Sequence, residues 1–191
     1  MIRKLAVTAV LALVAPLAGA ETLDVNVGSD AVRAELSGPL SFGQTRTARY
    51  DLGYPYSDER DDRVNLVHGS LLVSGDAGAR SANVQVGVGL RAAGIDLRGA
   101  SGGAVAAGGR FDIRLPDYNR FGLVGHAFFA PGVLAFGDFD GYIDAAVSLD
   151  YEIIRNASVY LGYRQVRVDV DDAPGSDLRD SSPVIGLRLQ F

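Results

Sequence analysis

The chain closes on Ser182-Pro183-Val184-Ile185-Gly186-Leu187-Arg188-Leu189-Gln190-Phe191. Side chains along an extended strand alternate between two faces. Ile185, Leu187, Leu189 and Phe191 therefore share one face, and Gly186, Arg188 and Gln190 the other. An apolar face opposite a polar one, in a strand that ends the chain on an aromatic, is the pattern of a strand with lipid on one side and a lumen on the other. The competing reading is a soluble β-protein whose last strand ends in Phe. The rest of the chain decides between them.

The same alternation recurs upstream. Val84, Val86, Val88 and Leu90 oppose Gln85, Gly87, Gly89 and Arg91. Val105, Ala107, Phe111, Ile113 and Leu115 oppose Arg110, Asp112 and Arg114. Ile143, Ala145, Val147, Leu149 and Tyr151 oppose Asp144, Ser148, Asp150 and Glu152. Period-two faces with charges on one side are strand signals, not helical ones. Three segments are less clean. Phe121–Ala130 is apolar on both sides apart from His126, Val64–Ser74 sets Asn65 and His68 on opposite faces, and Ala157–Val170 begins apolar on both faces before turning polar at Arg164, Gln165 and Arg167. The aromatics of that last segment suit a membrane interface or a packed cluster equally.

With Thr22–Val27 and Ala31–Ser37 as a hairpin around Gly28-Ser29-Asp30, and Thr45–Leu52 after it, the count reaches ten strands. Merging the first two gives nine, and dropping one more gives eight. Parity favours ten, because single-chain bacterial barrels have even strand numbers. The expected outer connections are 54–62, 93–102, 131–140 and 171–181; the expected periplasmic ones are 38–44, 75–81, 116–120 and 152–156. The fold class is thus all-β: a transmembrane antiparallel up-and-down barrel of about ten strands, with eight as the alternative, in one domain spanning 21–191.

Residues 1–20 read as a cleaved export signal. Arg3 and Lys4 precede the apolar Leu5–Leu17, and Ala18-Gly19-Ala20 supplies the small residues of a cleavage site. The remaining chain carries 16 basic residues against 23 acidic ones, a net charge of −7. An acidic chain argues against a nucleic-acid partner. With no cysteine, disulfides, thiolate chemistry and Cys-zinc sites are excluded.

Charges on a lipid face cost about 2–4 kcal/mol each at the bilayer midplane. Alternation therefore sends Asp24, Arg33, Glu35, Arg49, Asp51, Arg91, Arg110, Asp112, Arg114, Asp144, Asp150, Glu152 and Arg188 into the lumen. The expected arrangement has Arg110, Arg114 and Arg188 facing Asp144 and Asp150. Such a lumen is either a closed polar plug or a narrow, charged pore, and barrels of about eight strands are filled by side chains. No catalytic residue, metal site or cofactor is expected. One alternative is a lipid-modifying enzyme: His68 and Ser70 share a strand face in an arrangement that resembles the His-x-Ser of lipid A deacylases, but no third member is identifiable. Another is surface binding of cations or lipopolysaccharide through Asp58-Glu59, Asp61-Asp62, Asp138, Asp140, Asp169 and Asp171-Asp172. None of these has a calcium-loop spacing.

Two resemblances add to this. Gly186, Leu189 and Phe191 fit the C-terminal assembly signal of bacterial outer-membrane barrels, while Val184 stands where that signal has a polar residue. Leu115-Pro116-Asp117-Tyr118-Asn119-Arg120-Phe121, Gly125-His126, Ala130–Asp138, Ile153–Arg164 and Gly186–Leu189 resemble blocks of the YfaZ family of outer-membrane proteins; the likeness is close from about 103 to 191 and looser before. The resemblance implies an exported barrel in a Gram-negative outer membrane, in contact with its lipids and lipopolysaccharide and engaging the barrel-assembly machinery through the last strand. It implies no substrate and no catalytic residue, and leaves oligomeric state open.

Overall fold

The computed structural model describes residues 21–29, 31–42, 45–59, 62–77, 82–97, 100–170 and 178–191. The expected export signal and the expected surface carboxylates Asp61, Asp171 and Asp172 lie outside the described residues. Alternating segments become long antiparallel strands. A short β1 (Thr22–Val27) turns into β2 (Ala31–Phe42), followed by β3 (Thr45–Glu59), β4 (Asp62–Asp76), β5 (Asn83–Leu97) and β6 (Ala100–Arg114). The second half comprises β7 (Phe121–Pro131), the three-residue β8 (Ala135–Gly137), β9 (Phe139–Ile154), β10 (Ala157–Val170) and β11 (Leu178–Gln190).

β8 apart, ten strands pair in a ring, closed by β1 against β11 and by β5 against β6. Closure is what a bilayer demands, since an open edge would leave backbone N–H and C=O groups with no water to bond. The seam runs from Thr22↔Gln190 to Val27↔Ile185. It is locked at its end by Glu21 N to Phe191 O at 2.9 Å and Phe191 N to Glu21 O at 3.0 Å. Nine- and eight-strand counts are thereby excluded.

Pro131, which has no N–H to give a ladder, ends β7. A 3-10 turn over Gly132–Leu134 follows, and β8 then takes over the pairing with β6, Ala135 opposite Ala104 and Gly137 opposite Gly102. The chain leaves β8 through Gly137 at φ +79°, a left-handed conformation that favours glycine. Asp138, expected as a surface carboxylate, is exposed and accepts a hydrogen bond from Ser101 N at 2.8 Å.

Strands run further than alternation alone suggested. The expected outer connections 54–62 and 93–102 shrink to the residues between β3 and β4 and between β5 and β6, so Asp58, Glu59 and Asp62 are strand residues and not loop residues. Strands of about 9–11 residues suffice to span a bilayer, so these 15-residue hairpins project beyond it. The turns around 116–120 and 155–156 are short, as expected, and share the terminal end of the barrel with Thr22 and Gln190.

The outer face is an apolar belt held in register. Leu123, Leu149, Leu161, Ile185, Val27 and Val32 stand side by side across β7, β9, β10, β11, β1 and β2. Phe121, Tyr151, Val159, Leu187 and Val25 form the next row, with the Phe121 and Tyr151 rings 5.0 Å apart. Leu161 and Ile185 are 65% and 63% exposed, whereas Asp144 and Asp150 are both at 0%. Greasy groups outside and ionic groups inside is the partition that lipid imposes.

One region departs from that partition. At the loop end the lumen holds a buried apolar cluster of Leu66, Phe128, Phe139, Tyr142, Val166 and Val168, with small Ala93, Ala104, Ala106 and Ala130 between them. This is why Phe121–Ala130 reads as apolar on both faces. One face meets lipid and the other meets this plug.

Candidate functional site in the lumen

Below the apolar cluster lies a layer of buried ions centred on Asp144 of β9. Its carboxylate accepts from Arg91 Nη1 at 2.6 Å, Arg164 Nε at 3.1 Å and Tyr142 OH at 3.3 Å. His126 Nε2 lies 3.3 Å away and Arg33 Nη2 at 4.0 Å. Arg91, projecting from β5, ties this centre to β3 and β4. Its Nε donates to Ser70 Oγ at 2.8 Å and its Nη2 to Asp51 Oδ1 at 3.4 Å. Its guanidinium sits 3.9 Å from the centroid of the Phe128 ring, so the ionic layer stacks directly on the apolar one. Three arginines (33, 91 and 164) face three carboxylates (Glu35, Asp51 and Asp144), so the layer is balanced in charge.

His68 and Ser70 do share the lumen face, with His68 opposite Gly53 and Ser70 opposite Asp51. Ser70 Oγ donates to Asp51 Oδ1 at 2.6 Å and accepts from Arg91. Arg33 Nη2 donates to Glu35 at 2.7 Å and meets His68 Nε2 at 3.2 Å. A guanidinium is always a donor, so toward Arg33 Nε2 can only accept, while the buried Nδ1 has no hydrogen-bond partner. The base therefore points at Arg33, and the serine at a carboxylate. Glu35, Asp51 and His68 also bring one ligand atom each within 4.8 Å of one another, but the Arg33 guanidinium already supplies the positive charge there.

A second ionic group lies nearer the terminal end. Asp24 Oδ2 accepts from Arg188 Nε and Nη2 at 3.1 and 2.9 Å, and its Oδ1 accepts from Tyr160 OH at 2.6 Å. Arg188 Nη1 also bonds Asp150, which takes a further bond from Ser148 Oγ at 3.2 Å. Arg114 pairs with Asp112 at 3.0 Å and approaches Glu152 at 3.8 Å and Asp150 at 3.9 Å. Gly186 faces Tyr160 across the β10–β11 pair; any Cβ there would run into the phenol ring, so this glycine makes the room in which Tyr160 reaches Asp24. Below this group a cavity of about 320 Å³ opens toward the terminal end, lined by Arg49, Gln85, Arg110, Asp112, Glu152 and Arg188 among others.

The family model described as YfaZ precursor matches residues 2–191. The chain belongs to the YfaZ family. No curated protein matches it. Among solved structures it is similar to the outer membrane protease OmpT from Escherichia coli, at 10% identity over 90% of this chain and 93% of that one, with a TM-score of 0.46. It is similar as well to the KdgM porin in complex with disordered oligogalacturonate, at 10% identity, 90% and 99% coverage and a TM-score of 0.44. The NanC porin stands at 14% identity, 91% and 100% coverage and a TM-score of 0.43.

In this YfaZ family member the eight lumen candidates fall into three places. Arg91 and Asp144 form the buried centre, Asp150, Arg114 and Arg188 join the second group with Asp112 and Glu152 at its edge, and Arg110 lies on the cavity wall. The expected pairing of Arg110, Arg114 and Arg188 with Asp144 and Asp150 is therefore only partly what the chain builds. Arg188 and Arg114 reach Asp150, whereas Asp144 belongs to Arg91, Arg164 and Arg33. Arg164 and Tyr160 are not among the lumen candidates that alternation picks out, because Val166 and Val168 share their face and blur it. The parity of Ser158, Tyr160, Gly162 and Arg164 was the signal available. Of the C-terminal trio, Gly186 packs against Tyr160 inside, while Leu189 and Phe191 lie on the outer face at the seam.

Proposed function

We propose that this chain is a non-conducting, non-enzymatic barrel of the Gram-negative outer membrane, a structural component whose lumen is closed at mid-height. The observation that carries this reading is Asp144, fully buried and held by Arg91 and Arg164 beneath the apolar cluster around Phe128. An ion crossing the barrel would have to break that balanced layer and then enter a region offering it almost no polar partners, and unpaired charge in such surroundings is strongly disfavoured. The commitment of Ser70 to Asp51 and Arg91, inside the lumen and away from lipid, supports the absence of lipid hydrolysis.

The apolar belt is the surface for outer-membrane lipids and lipopolysaccharide. β11, with Gly186, Leu189 and Phe191, is the segment offered to the barrel-assembly machinery. The short turns, with Thr22 of β1 and Gln190 of β11 beside them, then face the periplasm. Planar-bilayer recording of the refolded protein tests the closure. Silent membranes in which insertion is verified by protease-resistant, heat-modifiable protein agree with it, and reproducible unitary current steps would overturn it.

A further inference from the structure

Most lumen charges are spoken for, and the exceptions share one cavity. Arg188 is neutralised by Asp24 and Asp150, Arg114 by Asp112, and Glu35 by Arg33. Arg49 of β3 and Arg110 of β6 both line the 320 Å³ cavity at the terminal end, yet among the described residues neither has a carboxylate within 4.0 Å. The Arg49 Nε is a buried donor with no partner at all. The two guanidiniums are close enough to repel each other, with Asp51 acting on Arg49 in the opposite sense from beyond ion-pair distance. Between them the wall carries glycine: Gly87 stands opposite Arg110 across β5 and β6, and a Cβ there would lie 3.4 Å from the Arg110 Cγ. The carboxylates on the same wall, Asp24, Glu35, Asp112 and Glu152, face Arg188, Arg33 and Arg114 instead.

Two unpaired like charges in a confined, half-enclosed space repel unless an anion lies between them. A guanidinium presents a fork of N–H donors that matches the oxygens of a phosphate or carboxylate. Asn83, Gln85, Ser37 and Asn156 line the same cavity and add neutral polar groups around it. We propose that this vestibule is a binding site for a small solute bearing an oxyanion, held between Arg49 and Arg110 and entering from the terminal end. The site is blind, because the Arg188–Asp150 and Arg91–Asp144 layers lie above it. It binds and does not pass its ligand on, and the assignment stands whether or not the layers above leak.

Inorganic phosphate is the probe. Calorimetric titration of the refolded full chain in detergent, at constant ionic strength against a sodium chloride blank, is expected to show saturable one-to-one binding. Arg49→Gln and Arg110→Gln are each expected to weaken it at least about tenfold, as loss of one charge-assisted contact implies, while Arg120→Gln, exposed and off the cavity wall, leaves it unchanged. A flat wild-type titration overturns the assignment, as does equal loss in the Arg120 variant. Should the lumen variants fail to fold, the wild type decides alone. Phosphate is expected to protect Arg49 and Arg110, but not the exposed Arg120, from p-hydroxyphenylglyoxal modification read by peptide mass spectrometry, and absence of that protection overturns the assignment equally.

Discussion

Replacing Arg91 with Ala removes one side chain that touches four groups at once. Arg91 gives Asp144 a charged bond at 2.6 Å, Ser70 a bond at 2.8 Å, Asp51 a long one at 3.4 Å and the Phe128 ring a stacked cation at 3.9 Å. A hydrogen bond to a charged group contributes about 1.5–3 kcal/mol, and a desolvated cation–π contact about 2 kcal/mol. Breaking a buried pair by deleting one partner costs about 3–5 kcal/mol in all, because the stranded charge stays behind. Asp144 keeps Arg164, His126 and Tyr142 in this variant, so the expected loss of unfolding free energy is about 3 kcal/mol, at the low end of that range. Urea unfolding from lipid vesicles, followed by far-ultraviolet circular dichroism and by gel mobility, measures it. Arg91→Lys is expected to recover no more than half the loss, since a point charge cannot reach three acceptors together. A cycle with Asp144→Ala should show coupling of at least about 1.5 kcal/mol. An Arg91→Ala protein within about 1 kcal/mol of wild type, with no coupling to Asp144, would mean that the buried layer does not hold the barrel together as argued.

Other outcomes follow from the same geometry. Leu161→Arg places a charge in the middle of the lipid-facing row and is expected to cost about 2–4 kcal/mol in the same unfolding assay; no cost would put that row in the lumen. Gly186→Ala drives a Cβ into the Tyr160 ring and should cost about 1–3 kcal/mol, yet under about 1 kcal/mol when Tyr160 is already Ala. Equal costs in both backgrounds would show that the glycine serves something else. The double change Arg91→Ala with Phe128→Ala removes both the ionic and the aromatic half of the stack. It is expected to give unitary currents in planar bilayers where each single variant stays silent.

How far the sequence could be read depended on what each strand face meets. Where one face meets lipid and the other meets ions, as in Val84–Arg91 or Tyr142–Glu152, alternation is unambiguous and the strand is legible. Where the lumen itself turns apolar, as along Val124 and Phe128, both faces look alike and period two disappears; along Val166 and Val168 the inward face becomes the apolar one. Arg164 was hidden for that reason, although it grips the same carboxylate as Arg91. Alternation also fixes which side chains point inward without fixing their height, since tilted strands offset one row from the next. That is why Arg110 was paired on paper with a carboxylate it does not meet. Strand length was underestimated because residues beyond the bilayer are free of its hydrophobic pattern but still belong to the ladder.

The partition of faces underlies every step, and a chain without cysteine makes it simple to probe. Single cysteines at adjacent positions, Leu149 and Ser148 on β9 or Ile185 and Val184 on β11, can carry an environment-sensitive fluorophore in vesicles containing brominated lipid. Strong quenching at 149 and 185 with little at 148 and 184 is the expected result. Equal quenching within either pair, or the reverse order, would contradict a sealed cylinder with its ions inside.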